Sequence, residues 1–144
     1  MKRYRRGAQG RRASGGMEPE VVRVWLLGGF RVSVGSWIIE ASGWRVSKAR
    51  NLVKLLALAR GHRLHRGQVM DLFWPELEAE AAANNFHRVL HFARGSLEGT
   101  PTTRYLRLRG DMLALCPDGT LWVDAEAFEE LANDKVWSFK TKRR

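Results

Sequence analysis

The chain contains a single cysteine, Cys116, in 144 residues, which excludes an intrachain disulfide and a zinc site of four cysteines. It contains no run of about 18 apolar residues, so we predict neither a membrane span nor a membrane partner. Arg23 and Arg31 interrupt the first apolar stretch after the basic N-terminus, so we predict no export signal. The expected location is the cytoplasm.

Acidic side chains are unevenly distributed along the chain. Residues 1–16 carry six Lys and Arg and residues 135–144 carry five, and neither stretch contains an acidic residue. Residues 42–110 carry 12 basic and 5 acidic residues, whereas residues 111–134 carry seven acidic residues and no basic one. The chain has a net charge of +10, and the uneven distribution of its charges indicates a polyanionic partner, most often nucleic acid. A merely solubilising surface would give the same pattern.

Alternating apolar residues predict a small antiparallel sheet near the N-terminus. Val22 and Val24 begin the alternation, and Gly35-Ser36 fits a two-residue turn between strands at 30–34 and 37–39. The residues before this sheet are rich in Arg and Gly, so we predict that they form a flexible basic arm.

Three helices are predicted next, from apolar residues three and four positions apart. The first begins with Ser47 as its N-cap, the second spans 66–73, and the third spans 78–97. Trp74-Pro75 ends the second helix, because the residue before a proline avoids helical geometry. This second helix is expected to bury Val69, Leu72 and Phe73.

A β-hairpin follows the helices, with strands at 105–109 and 112–115, and a short strand is predicted at 121–123. Asp124 then fits the N-cap of a final helix over 125–132, with Phe128 and Leu131 facing inward and a disordered tail behind it. The order of sheet, three helices and hairpin is typical of a winged helix-turn-helix. The predicted fold class is therefore α+β, with an N-terminal antiparallel sheet, three helices and a C-terminal hairpin wing.

The third helix has two distinct faces at 100° per residue. Its predicted core face comprises Phe86, Val89, Leu90, Ala93 and Leu97. The opposite side and its flanks are polar and basic, and this suits the major groove of DNA, where Asn pairs with adenine and Arg with guanine. The candidate base-reading residues are Asn84, Asn85, Arg88 and His91.

The candidate phosphate contacts are cations on the first and second helices, on the flanks of the third, and around the hairpin. They are Lys48, Arg50, Arg66, His87, Arg94, Arg104, Arg107 and Arg109. Charged hairpin residues also protect an edge strand against aggregation. The hairpin arginines can therefore serve as DNA contacts, as protection of the edge strand, or as both.

Five motifs, in family order, resemble the SARP-type regulators, the Streptomyces antibiotic regulatory protein family. Their family patterns are LLGxFxV, RxxKARxLLxLLAL, LWP, NNxxxxLxxLR and VDxxxF, and they correspond to residues 27–32, 47–58, 72–75, 83–94 and 123–128. The resemblance covers about residues 21–131. It implies an OmpR/PhoB-type winged helix that binds double-stranded promoter DNA in the bacterial nucleoid and activates transcription. The resemblance also implies two further candidate partners. They are RNA polymerase and other copies of this chain, bound head-to-tail on direct repeats of the DNA sequence.

The resemblance divides the chain into an arm at 1–20, a DNA-binding domain at 21–124, and the start of an activation domain with a basic tail at 125–144. The helical repeats of that activation domain do not follow Phe128. His65 stands where the family has Ser or Thr, so a weaker cap is expected on the second helix, and Gly95 lies inside the third.

No enzyme is predicted, and neither a cofactor nor a metal. His87 and His91 have the spacing of metal ligands, but Arg88 occupies the position where a zinc hydrolase has its Glu. Cys116 lacks a convincing catalytic context and is expected to end a strand as a small apolar residue. Two alternatives to DNA reading stay open: a winged helix that binds protein without reading bases, and an RNA-binding protein that uses its Arg-rich arms.

Overall fold

Short alternating strands and amphipathic helices build an α+β structure, as the sequence predicts. The computed structural model describes residues 20–98 and 105–143, and this part contains seven strands and four helices, besides two 3-10 turns. The strands are β1 (Val22–Trp25), β2 (Arg31–Val34), β3 (Trp37–Ile39), β4 (Arg63–His65), β5 (Leu106–Arg109), β6 (Met112–Leu115) and β7 (Leu121–Val123). The helices are α1 (Ser47–Leu58), α2 (Arg66–Phe73), α3 (Ala79–Glu98) and α4 (Asp124–Arg143).

The first sheet has the strand order β3-β2-β1-β7. Val22 pairs with Val34 and Val24 with Val32, and all four side chains are buried in the core. The three N-terminal strands pair antiparallel, as predicted. Strand β7, which was predicted without a pairing partner, joins the other side of β1 in parallel, so the complete sheet is mixed. Alternation of apolar residues reports which face is buried, but it carries no information on strand direction.

The second sheet has the order β4-β6-β5. The predicted hairpin β5–β6 is present, and Gly110 at its turn has a φ of 60°, a conformation that favours glycine. Strand β4 was not predicted, because Arg63-Leu64-His65 has a single apolar residue between two polar ones, unlike the predicted strands β3 and β7. It pairs with β6 and places the start of α2 beside the hairpin turn, where the amide of Arg66 donates to the carbonyl of Asp111 at 2.7 Å.

The core lies between the first sheet and helices α1 and α3. Leu52 and Leu56 of α1 and Phe86 and Leu90 of α3 are buried together with the valines of β1 and β2. Helix α2 has the predicted bounds and buries Val69, but Leu72 is exposed, so its predicted inward orientation is wrong. In the described ranges, no helix is both long enough and apolar enough to cross a membrane.

Two predicted helix starts need correction. Ser47 is the first residue of α1 and not its N-cap, which is Val46, and Val46 offers no side-chain acceptor. His65 caps α2 well, because its Nδ1 accepts a hydrogen bond from the amide of Gly67 at 2.9 Å. Gln68 Oε1 in turn accepts from the amide of His65 at 3.0 Å, which completes a capping box. An imidazole nitrogen thus replaces the expected hydroxyl.

The final helix is longer than predicted and presents different residues. It extends to Arg143, beyond the predicted end at residue 132, so the expected disorder after Asn133 is wrong. Phe128 and Leu131 are exposed, not inward. The Asp124 carboxylate accepts hydrogen bonds from the amides of Leu26 and Leu27, at 2.8 and 3.1 Å, and so fastens the start of α4 to the end of β1. Of the predicted arm, only Glu20 lies inside the described residues.

Candidate nucleic-acid interface

Helix α3 separates an apolar face from a polar one, as the sequence predicts. Its five predicted core residues are all buried, and Phe86, Ala93 and Leu97 are completely inaccessible to solvent. Between residues 81 and 97 the helix contains no acidic side chain. The buried face fixes the rotation of α3 and therefore determines which polar residues reach solvent.

The polar face of α3 contains three of the four candidate base-reading residues in exposed positions. Asn84, Arg88 and His91 are exposed, whereas Asn85 is half-buried. His87, a candidate phosphate contact, is exposed beside them. Uncommitted donors on a rigid helix are the groups that can pair with base edges.

A crevice of about 250 Å³ lies between α3 and the start of α1. Lys48, Asn85 and Arg88 line it, together with Ser47, and its apolar wall includes Trp74 and Phe92. Neither Lys48 nor Arg88 forms a salt bridge with any residue in the described ranges. The fold therefore brings one predicted phosphate contact beside two predicted base-reading residues, with no carboxylate in the crevice wall.

Aromatic rings hold two cations around this crevice. The ammonium of Lys48 lies 5.3 Å from the ring centroid of Phe73 and 5.9 Å from that of Trp74. The guanidinium of Arg45 lies 5.6 Å from the centroid of Phe92. Cation–π contacts restrict these side chains and leave their charge available to an anion. Sequence reasoning missed Arg45, although its position shortly before α1 was a signal for it.

Arg94 has a structural task. Its Nε donates to the carbonyl of Leu106 at 3.0 Å, which ties α3 to the first strand of the hairpin. Burial lowers the pKa of Arg94 from its ordinary value because the charged guanidinium loses solvation. Its committed Nε orients the hairpin relative to α3, so its contribution to an interface is chiefly one of positioning.

The predicted wing cations are partly neutralised within the chain. Arg107 forms an ion pair and a hydrogen bond with Asp118, and this hydrogen bond is the main reason that the pKa of Asp118 is lowered. Arg66 Nε lies 3.2 Å from Asp111 Oδ1, and His65 Nε2 lies 3.8 Å from the other oxygen of that carboxylate. Sequence reasoning missed both aspartates as partners.

Three of the candidate phosphate contacts remain to be placed. Arg109 is exposed beside the hairpin turn and forms no salt bridge with a described residue. Arg50 is half-buried, and its buried Nε has no hydrogen-bond acceptor among the described residues. Arg104 lies outside the described residues.

Cys116, the one cysteine of the chain, is buried. Burial raises the pKa of Cys116 to about 12, so its thiol stays protonated at neutral pH. Across the described ranges, no group of three or more His, Cys, Asp or Glu side chains is arranged to hold a metal ion. Comparison with known proteins adds no assignment, because no family model, curated protein or solved structure matches the chain.

Proposed function

We propose that this chain is a sequence-specific double-stranded DNA-binding protein of the winged helix-turn-helix type. Helix α2, a turn at Trp74-Pro75 and helix α3 form the helix-turn-helix, and the β5–β6 hairpin forms the wing. Helix α3 enters the major groove, and Asn84, Arg88 and His91 contact base edges while Asn85 lies at the rim of the crevice.

The observation that carries this proposal is the chemistry of the exposed face of α3. It combines amide, guanidinium and imidazole donors, contains no carboxylate between residues 81 and 97, and lies opposite a buried core face. Lys48 adds a second cation in the adjacent crevice that has no salt bridge to a described residue. A negatively charged duplex with hydrogen-bonding base edges matches these groups better than a neutral protein surface does.

We extend the proposal to transcription regulation on the strength of the five motifs that resemble the SARP-type regulators. The bound duplex would then be promoter DNA in the bacterial nucleoid, and RNA polymerase and neighbouring copies on direct repeats would be further partners. The sign of regulation follows from a promoter-reporter assay with the isolated chain. Strong activation would mean that the winged domain itself contacts polymerase.

Selection of bound duplexes from a random library tests the proposal. We expect one enriched motif, and we expect affinity for it to fall steeply with salt. If about six phosphates are neutralised, the plot of log K against log salt has a slope near −5. Recovery of random duplexes would contradict base reading, and a flat salt response would contradict the electrostatic model.

The same salt titration with single-stranded RNA distinguishes nucleic-acid binding by the Arg-rich arms from duplex binding by α3. We expect weaker binding of RNA than of the selected duplex at every salt concentration. Equal or tighter binding of RNA would assign the chain to RNA recognition. Deletion of residues 1–16 is the matched control, since it should lower non-specific affinity without changing the selected motif.

A further inference from the structure

Exposed apolar side chains cluster away from α3, at a groove between the end of α1 and the start of α4. Leu27 is 54% exposed, Leu58 63% and Phe128 60%, and all three line the groove, which has a volume of about 520 Å³. Leu131, one turn further along α4, is 56% exposed. We call these four residues and the cavity between them the α4 groove. Clustered apolar surface of this kind marks an interaction site.

Hydrogen bonds between the segments that line this groove hold its two walls in place. Asp124 fastens the start of α4 to the loop after β1 through the amides of Leu26 and Leu27. Glu126 Oε2 lies 3.0 Å from His62 Nε2, and His62 Nδ1 lies 3.2 Å from the carbonyl of Leu56 in α1. The two walls are thus tied together, so the exposure of Phe128 does not result from a loose helix.

The charges around the α4 groove indicate what covers it. Residues 124–134 contain five acidic residues and no basic one, so a nucleic acid would be repelled, and a partner must bring a cation to this helix. Arg60 lies on one wall, and Glu129 lies on the opposite wall. Both are exposed, and neither forms a salt bridge with a described residue. A surface that carries one unpaired charge of each sign beside apolar residues is complementary to itself.

We propose that the α4 groove is a self-association surface that binds a second copy of this chain across a two-fold axis. Phe128 and Leu131 of each copy enter the groove of the other beside Leu58, and Arg60 of each copy faces Glu129 of the other. A two-fold contact repeats every interaction, so each ion pair occurs twice. The inference does not depend on the proposed DNA-binding function, because it concerns a different face and is measured without nucleic acid. This two-fold contact is separate from the head-to-tail arrangement of copies proposed on direct repeats.

Sedimentation equilibrium of the full chain, from micromolar to millimolar concentrations without DNA, tests the proposal. We expect a reversible monomer–dimer equilibrium, and we expect Leu58→Ser and Phe128→Ser each to weaken it about tenfold or more. Leu72→Ser is the matched control, because Leu72 is 62% exposed but lies on α2. Circular dichroism checks that each variant keeps its helices. A wild-type chain that stays monomeric, or an equal loss in Leu72→Ser, would overturn the proposal.

A charge exchange supplies a second readout that a purely structural role would not move. Arg60→Glu alone and Glu129→Lys alone each place like charges opposite each other twice, so each variant should dimerise more weakly than the wild type. An equimolar mixture of the two variants should form a heterodimer, because every contact then joins opposite charges again. If the mixture associates no better than either variant alone, the two-fold arrangement is wrong.

Discussion

Helix α3 contains six of the candidate DNA contacts and the β5–β6 hairpin two, and the fold treats the charges of these two regions differently. On α3, Arg88 is exposed and unpaired in the described structure. On the hairpin, Arg107 is paired with Asp118, and the turn residue Asp111 holds Arg66. A cation already paired inside the protein gains less from a phosphate, because the existing ion pair must first be given up. The comparison therefore predicts that α3 carries specificity, while the hairpin adds a modest attraction.

The largest expected effect comes from removing the anchor of α3. Phe86 is completely buried, so Phe86→Ala should lower the free energy of unfolding by about 3–5 kcal/mol through lost burial and a cavity. Denaturant-induced unfolding measures this loss. Leu72→Ala is the control, and it should change stability by about 0.5 kcal/mol or less, because Leu72 is largely exposed. Similar losses in both variants would mean that α3 is rotated differently.

The next effect separates base reading from general attraction. Arg88→Ala should cost about 1–3 kcal/mol of binding free energy on the selected duplex and relax the preference at one base pair. Arg109→Ala should weaken all duplexes by a similar, smaller factor, because Arg109 is expected to contact only phosphates. Arg23→Ala, an exposed arginine on β1, is the control. If Arg88→Ala weakens all sequences equally, α3 positions the domain and does not read bases.

The difference between α3 and the hairpin also shows how far sequence patterns reach. The helical spacing of Phe86, Leu90 and Leu97 correctly predicted the buried face of α3, and therefore also the exposed residues on its opposite face. This prediction succeeded because helical spacing depends only on residues that are close in the sequence. The ion pair between Arg107 and Asp118 joins strand β5 to the turn that follows β6, and no periodicity reports such a pairing.

Other features were not predicted correctly for the same reason, namely that they depend on contacts between distant parts of the chain. The three residues of β4 take their strand geometry from pairing with β6, and the direction of β7 is set by its neighbour β1. The inward orientation predicted for Phe128 failed because a helical pattern shows which residues share a face, but not whether another part of the chain covers that face. Tertiary partners decide these features.

A smaller effect should follow from releasing a hairpin cation. Asp118→Asn removes the carboxylate that engages Arg107, so affinity for every duplex should rise a few-fold, and the salt slope should steepen by about one unit. Fluorescence anisotropy at several salt concentrations measures both changes. Glu40→Gln removes the same charge from an exposed position after β3 and should leave the slope unchanged. If the two variants behave alike, net charge and not the freed Arg107 is responsible.

The smallest expected effect is the pH dependence of this same ion pair. Hydrogen bonding to Arg107 holds the pKa of Asp118 below its ordinary value of 3.8 in the folded chain. A carboxyl whose pKa is lower in the folded than in the unfolded state adds stability above the unfolded pKa, and this stability is lost as the pH falls through the folded pKa. The melting temperature of the wild type should therefore exceed that of Asp118→Asn near neutral pH, and the gap should close below about pH 4. Because Asp118 is exposed, added salt should narrow the gap at neutral pH as well. A gap that persists unchanged to pH 2 would show that the contact stabilises the hairpin without its charge.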